Sequence, residues 1–164
     1  GPERIAFDGL QDWTARPEPG IKYYSGIATY RMTFDLARVP GGRLYLDVGV
    51  VHDMARVKLN GRDLGVVWCA PWRIEITGAV RTGDNRLEIE VANRWTNRMI
   101  GDMQPADANA RTVQAPPGFL GGKAMPAGRF TFCTDAPVKA DSPLLPSGLL
   151  GPIRILTRPA GADK

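Results

Sequence analysis

The sequence predicts an all-β fold: a two-sheet antiparallel β-sandwich of jelly-roll type with long Pro/Gly-rich loops. Three observations carry this. Apolar and polar residues alternate with period two in one short segment after another, the pattern of a strand with one buried face. Gly and Pro separate those segments at strand-length intervals. No stretch carries a helical period of useful length, and many short strands with such turns point to a sandwich.

Ala28, Tyr30, Met32, Phe34 and Leu36 alternate with Thr29, Arg31, Thr33 and Asp35. Pro40-Gly41-Gly42 turns the chain into Leu44, Leu46 and Val48, which alternate with Arg43, Tyr45 and Asp47. Val57 and Leu59 lead into Asn60-Gly61, a dipeptide suited to a two-residue hairpin because both central residues need positive φ. Ile74 and Ile76 alternate with Arg73, Glu75 and Thr77. A Gly83-Asp84-Asn85 turn then feeds Leu87, Ile89 and Val91. Phe130 and Phe132, then Ile153 and Ile155, complete the set. Two stretches, about 103–127 and 134–147, read as irregular loops, and their apolar residues (Phe119, Leu120, Met125, Leu144, Leu145) favour packing. The expected organisation is one sandwich domain over 1–158 with a tail at 159–164.

The 164 residues suffice for one domain with its own core. The net charge of +4 could suit an acidic partner, but the basic residues fall on the polar phase of the strands. Arg31, Arg43, Lys58, Arg73, Arg86, Arg129 and Arg154 read as a solvated sheet face, so no nucleic-acid partner is expected. No apolar run approaches a membrane span, so no membrane partner is expected either. Without an initiator Met or a leader pattern, the chain reads as part of something longer. Cys69 and Cys133 are not at metal-ligand spacing; one disulfide is possible, and two buried free thiols are the favoured state.

Several blocks are more specific. Val57-Lys58-Leu59-Asn60-Gly61-Arg62-Asp63-Leu64-Gly65, Trp68 to Thr77 and Thr82 to Asn93 together resemble the sugar-binding jelly-roll domain of glycoside hydrolase family 2, a galactose-binding-domain-like fold. Tyr23 to Tyr30, Asn93 to Asp102, Gly128 to Phe132 and Leu144 to Pro152 add a resemblance to the β-sandwich region in the C-terminal part of family 106 α-L-rhamnosidases. The likeness runs from about Phe7 to Ile155. It implies a non-catalytic accessory module, a carbohydrate partner, a separate catalytic barrel domain, and a parent enzyme that hydrolyses α-L-rhamnosides. It also suggests a periplasmic or secreted setting. The catalytic carboxylates of that family belong to the barrel, and nothing here matches them.

The residues themselves argue against catalysis by this chain. His52 and Asp53 are neighbours on an extended segment and point to opposite faces. Asp47, Glu75, Glu88 and Glu90 alternate with apolar residues and face outward, whereas glycoside hydrolysis needs two convergent carboxyl groups. Sugar contact is the better candidate, because an aromatic platform ringed by planar polar groups matches a sugar's apolar face and hydroxyls. Trp95 with Asn97, Arg98 and Asp102 forms one candidate edge of a carbohydrate or domain-contact surface, and Trp68 with Trp72 a second. Against this, the core is favoured for Trp72, Asn93 and Asn97 could cap local turns, and Arg98 with Asp102 could be an ordinary ion pair. No cofactor is expected. A structural calcium would need six to eight oxygen ligands, and Asp102, Asp107, Asp135 and Asp141 are widely spaced.

Overall fold

A computed structural model of the chain describes residues 2–104, 110–114, 129–133 and 138–158, the second and third of these as backbone. Phe119, Leu120, Met125, Asp107, Asp135 and the 159–164 tail lie outside the described residues, as do the side chains of Phe130, Phe132 and Cys133. The chain forms two compact units. One comprises Ala6–Asp12, Gly26–Asn93 and Ser147–Lys164; the other comprises Gly1–Ile5, Trp13–Ser25 and Arg94–Pro146.

The first unit is the expected antiparallel all-β sandwich. Its four-stranded sheet has the order β1-β7-β4-β5, from β1 (Ile27–Leu36), β4 (Met54–Leu59), β5 (Arg62–Val67) and β7 (Gly83–Ala92). A three-stranded sheet has the order β11-β2-β6, from β2 (Arg43–Asp47), β6 (Arg73–Glu75) and β11 (Arg154–Arg158). A short pair joins β3 (Val50–His52) to β10 (Gly148–Gly151). Register makes the period-two pattern a core. Tyr30 stands opposite Ile89, and Ile89 opposite Val57; Ala28, Val91 and Ala55 form the next row. Leu46 lies between Ile155 and Ile74. Leu44, Leu46, Val57, Leu59, Leu87, Ile89 and Val91 are buried, each contributing about 1.5–3 kcal/mol of transfer free energy.

Turn chemistry follows the sequence at Asn60-Gly61, whereas Gly83-Asp84-Asn85, read as a turn, forms the start of β7 and pairs with Phe34–Leu36 of β1. Asn60 and Gly61 both have positive φ, 53° and 82°, and Leu59 pairs directly with Arg62 across the two-residue loop. Beyond it, Val57 pairs with Gly65 but Lys58 with Asp63, so Leu64 is an extra residue in a β-bulge. The Asp63 carboxylate accepts the Gly65 amide at 3.0 Å, which holds its pKa below the usual value, with help from Arg56.

The polar faces are cross-linked. Lys58 reaches Glu90 at 2.6 Å, Arg56 reaches Asp63 at 2.8 Å, and Arg31 reaches Glu88 at 3.6 Å. In the other sheet, Asp47 accepts from Arg73 Nε at 2.8 Å and from the Gly49 amide at 2.9 Å. The Arg73 bond, then the Gly49 amide, lower the Asp47 pKa against a partial opposing effect of burial. A lowered folded-state pKa means that the stabilisation is present above the unfolded carboxylate value of about 3.9 and is lost as pH falls through the folded value. Asp47→Asn is therefore expected to lower stability at neutral pH and to flatten its decline below about pH 4. Urea melts across that range check this; an unchanged pH slope would refute it.

The second unit departs further from the sequence reading. Trp13–Ala15 forms a 3-10 turn, Pro19–Lys22 a short helix α1, and Thr96–Asp102 a helix α2. Trp13 is buried and meets Tyr24 edge-on, with ring centroids 5.6 Å apart. Met99, Ile100 and Val138 form a small core flanked by Tyr23 and Leu144; of the loop residues expected to pack, Leu144 does so here. β8 (Ala110–Gln114), inside a stretch read as irregular, pairs parallel with β9 (Arg129–Cys133), on the segment read as a strand. No described helix is long and apolar enough to cross a membrane.

Candidate functional site

Helix α2 places the first candidate edge. Seven residues are too few to show a helical period, which is why the sequence hid it. Met99 and Ile100 turn inward, and the Met99 amide donates to the Trp95 carbonyl at 3.0 Å. The helix needs a glycine at 101, because a Cβ there would lie 2.5 Å from Tyr23 Cβ. Gln104 closes the C-terminal end, its Nε2 donating to the Ile100 carbonyl at 3.1 Å and to Ala140 at 2.8 Å, which satisfies carbonyls a helix end leaves open.

The four residues grouped around this helix then separate by role. Trp95 is 65% exposed at the start of the helix, so its indole is not a core side chain. Asn97 is buried at 2%. Its Nδ2 donates to the Leu145 carbonyl at 2.6 Å and its Oδ1 accepts the Leu145 amide at 2.8 Å. Asp102 is buried and ion-paired with Arg98 one helical turn earlier. Asn97 and Asp102 therefore do not line an open surface, contrary to their expected place beside Trp95. Arg98 is largely enclosed and engaged with Asp102. The Asn93 amide is long-range rather than a local cap: its Oδ1 accepts the Gly26 amide at 3.1 Å and its Nδ2 reaches Ser147 Oγ at 3.4 Å. What remains at this edge is one exposed indole at a helix start, with a guanidinium three residues on.

The second pair divides as well. Trp68 is 69% exposed, while Trp72 is half-buried and its carbonyl accepts the Val48 amide at 2.9 Å. Cys69, expected to be buried, is exposed and free, because β5 has ended at Val67 and the chain leaves the sheet there. His52 is half-buried at the end of β3, paired across from Gly148.

Two arrangements escaped the sequence. Asn85, fully buried, accepts from the Arg81 amide at 3.0 Å and from Asn60 Nδ2 at 2.9 Å, and donates to the Arg81 and Gly83 carbonyls at 2.7 and 2.8 Å. Gly49 and Gly151 meet backbone to backbone. A sequence signal existed for the first, since Asn in a turn commonly bonds nearby backbone.

The exposed indole can stack on an apolar ring, while the Arg98 guanidinium is already engaged with Asp102, and the carboxyls with lowered pKa do not suit a general acid. Besides Asp47 and Asp63, Glu18 is lowered, mainly by its hydrogen bond from Arg16; a general acid needs the opposite shift. Among the described residues, no three of His, Cys, Asp and Glu converge as metal ligands would.

Comparison with known proteins adds a family match and two close relatives. A family model described as glycosyl hydrolase 2 galactose-binding domain-like matches residues 23–123. A protein of Formosa agariphila named "Putative beta-glucuronidase" is 39% identical over 159 residues, which is 93% of this chain and 14% of that protein. The structure of a rhamnosidase from Novosphingobium sp. PP1Y is 39% identical and superposes with a TM-score of 0.76, covering 94% of this chain and 13% of that one. The chain thus spans about one seventh of the length of either relative.

Proposed function

We propose, because this chain belongs to the glycosyl hydrolase 2 galactose-binding domain-like family, that it is the non-catalytic carbohydrate-contacting module of a larger glycoside hydrolase. The parent is proposed to be an α-L-rhamnosidase acting on rhamnose-containing glycans, with its catalytic carboxylates on a separate barrel domain. The likeness to the Novosphingobium rhamnosidase across nearly the whole chain carries this reading. Trp95 is proposed as the sugar-facing residue, since its indole is 65% exposed and supplies an apolar platform. Arg98 lies on the same side of the helix, three residues on. No cofactor enters the proposal.

Saturation-transfer NMR on this chain tests the reading, with oligosaccharides containing rhamnose and others containing glucuronic acid. Transfer to the rhamnosides is expected. Trp95→Ala should abolish it while changing stability by no more than about 0.5 kcal/mol, as for an exposed side chain. Transfer to the glucuronides alone would move the parent reaction to that sugar. Silence across the panel would favour the second reading, a scaffold domain without sugar affinity, for which the enclosure of Asn97 and Asp102 already speaks.

A further inference from the structure

One end of the four-stranded sheet carries a row of outward-facing side chains without a charge. Ile27 on β1 stands opposite Ala92 on β7, and Ala92 opposite Met54 on β4. Ala55 pairs with Val67, and Trp68 follows directly, one residue past the end of β5. Val66 lies one step inward, opposite Arg56. Ile27, Met54, Val66 and Trp68 are 65%, 47%, 52% and 69% exposed. Their strand neighbours Ala55, Val67 and Val91 are buried, so alternation turns the row away from the core. Beyond the row, the same face becomes a lattice of pairs: Arg56 with Asp63, Lys58 with Glu90, Arg31 with Glu88.

Scattered exposed apolar residues are ordinary, but four gathered at one end of one sheet face mark an interaction surface. A sugar is the weaker occupant. The row lacks hydrogen-bonding side chains apart from the Trp68 indole N–H, and the neighbouring charges are committed to one another. An apolar protein face would gain about 25 cal/mol for each Å² of apolar surface it covers.

We infer that the Ile27–Met54–Val66–Trp68 row is a docking surface for an apolar face on another domain of the same longer polypeptide. This rests on the reading of the chain as one module of a glycoside hydrolase, whose relatives are about seven times its length, so most of such a polypeptide lies beyond the module.

Hydroxyl-radical labelling read by mass spectrometry tests the inference. It is applied to this chain and to the longer polypeptide, with intact mass and glycosidase turnover recorded on the same samples. Labelling at Trp68 and Met54 is expected to fall severalfold in the longer polypeptide, and Trp68→Ser there should restore labelling at Met54. Equal labelling in a longer, active polypeptide overturns the docking surface and leaves the module reading standing. Absence of turnover on rhamnosides and glucuronides counts against the module reading, and labelling still decides the docking. Protection of the chain alone that grows with its concentration would identify self-association, and protection only on adding oligosaccharide a sugar platform; either overturns the inference.

Discussion

Gly49→Ala is expected to cost about 2–5 kcal/mol, a large share of the roughly 5–15 kcal/mol that holds a domain folded. Two penalties combine. Gly49 has φ +71°, a conformation that costs an L-residue about 1–2 kcal/mol. An added Cβ would also lie 2.2 Å from the Gly151 carbonyl carbon, 2.3 Å from its oxygen and 2.7 Å from Pro152 N. These are backbone atoms and cannot rotate aside, so the β3–β10 region would have to separate, and overpacking of this kind typically costs about 1–3 kcal/mol. Gly41→Ala is the control. A Cβ there meets nothing within 4 Å, and a change within about 0.5 kcal/mol is expected. Urea melts of both variants decide the matter; a Gly49→Ala protein as stable as the control would show that the approach of the two backbones can relax freely.

Asn85→Ala should be the next most damaging change, at about 2–3 kcal/mol. The methyl group would leave the Arg81 amide, the Arg81 and Gly83 carbonyls and the Asn60 amide without the buried partner they share. The cost of stranding such groups exceeds the net worth of a hydrogen bond between groups that water could otherwise reach. The damage should extend into the hairpin. Asn60 also accepts the Arg86 amide through Oδ1 at 2.9 Å and donates to the Ala79 carbonyl at 2.8 Å, so loss of Asn85 loosens the residue that shapes the Asn60-Gly61 turn. Faster amide exchange at Arg81 and Arg86, together with a lowered urea midpoint, is the expected signature. A shift below about 0.5 kcal/mol would mean that water replaces the side chain in place.

The candidate site shows where reading residues alone loses force. Trp95 could be picked out because aromatic residues near strand ends form a short list of options, but its exposure could not. Asn97 and Asp102 have the polar character of binding residues, and the sequence held no sign that Leu145, far along the chain, takes both ends of the Asn97 amide. The Arg98–Asp102 pair was visible as a spacing of four. Its enclosure depends on a helix whose inward face packs with Val138 and Leu144. Cys69 failed for a related reason: burial of a cysteine is a general tendency, whereas its exposure follows from the point at which β5 leaves its sheet.

Features that depend on near neighbours were legible along the chain. Period-two alternation set the faces of β1, β2, β4 and β7, because successive side chains on a strand must point to opposite sides. Asn60-Gly61 set a two-residue turn, because those residues accept positive φ. Alternation with Gly and Pro turns set the fold class, and the family blocks narrowed it. Only the tertiary structure decided the order β1-β7-β4-β5, the parallel pairing of β8 with β9, the close meeting of Gly49 with Gly151, and the sorting of tryptophans into exposed Trp68 and Trp95, half-buried Trp72 and buried Trp13. The physical reason is one of range. Alternation and turn geometry act over two to four residues, while burial is settled by segments that meet across tens of residues, and a side chain's own chemistry does not say which of those segments will cover it.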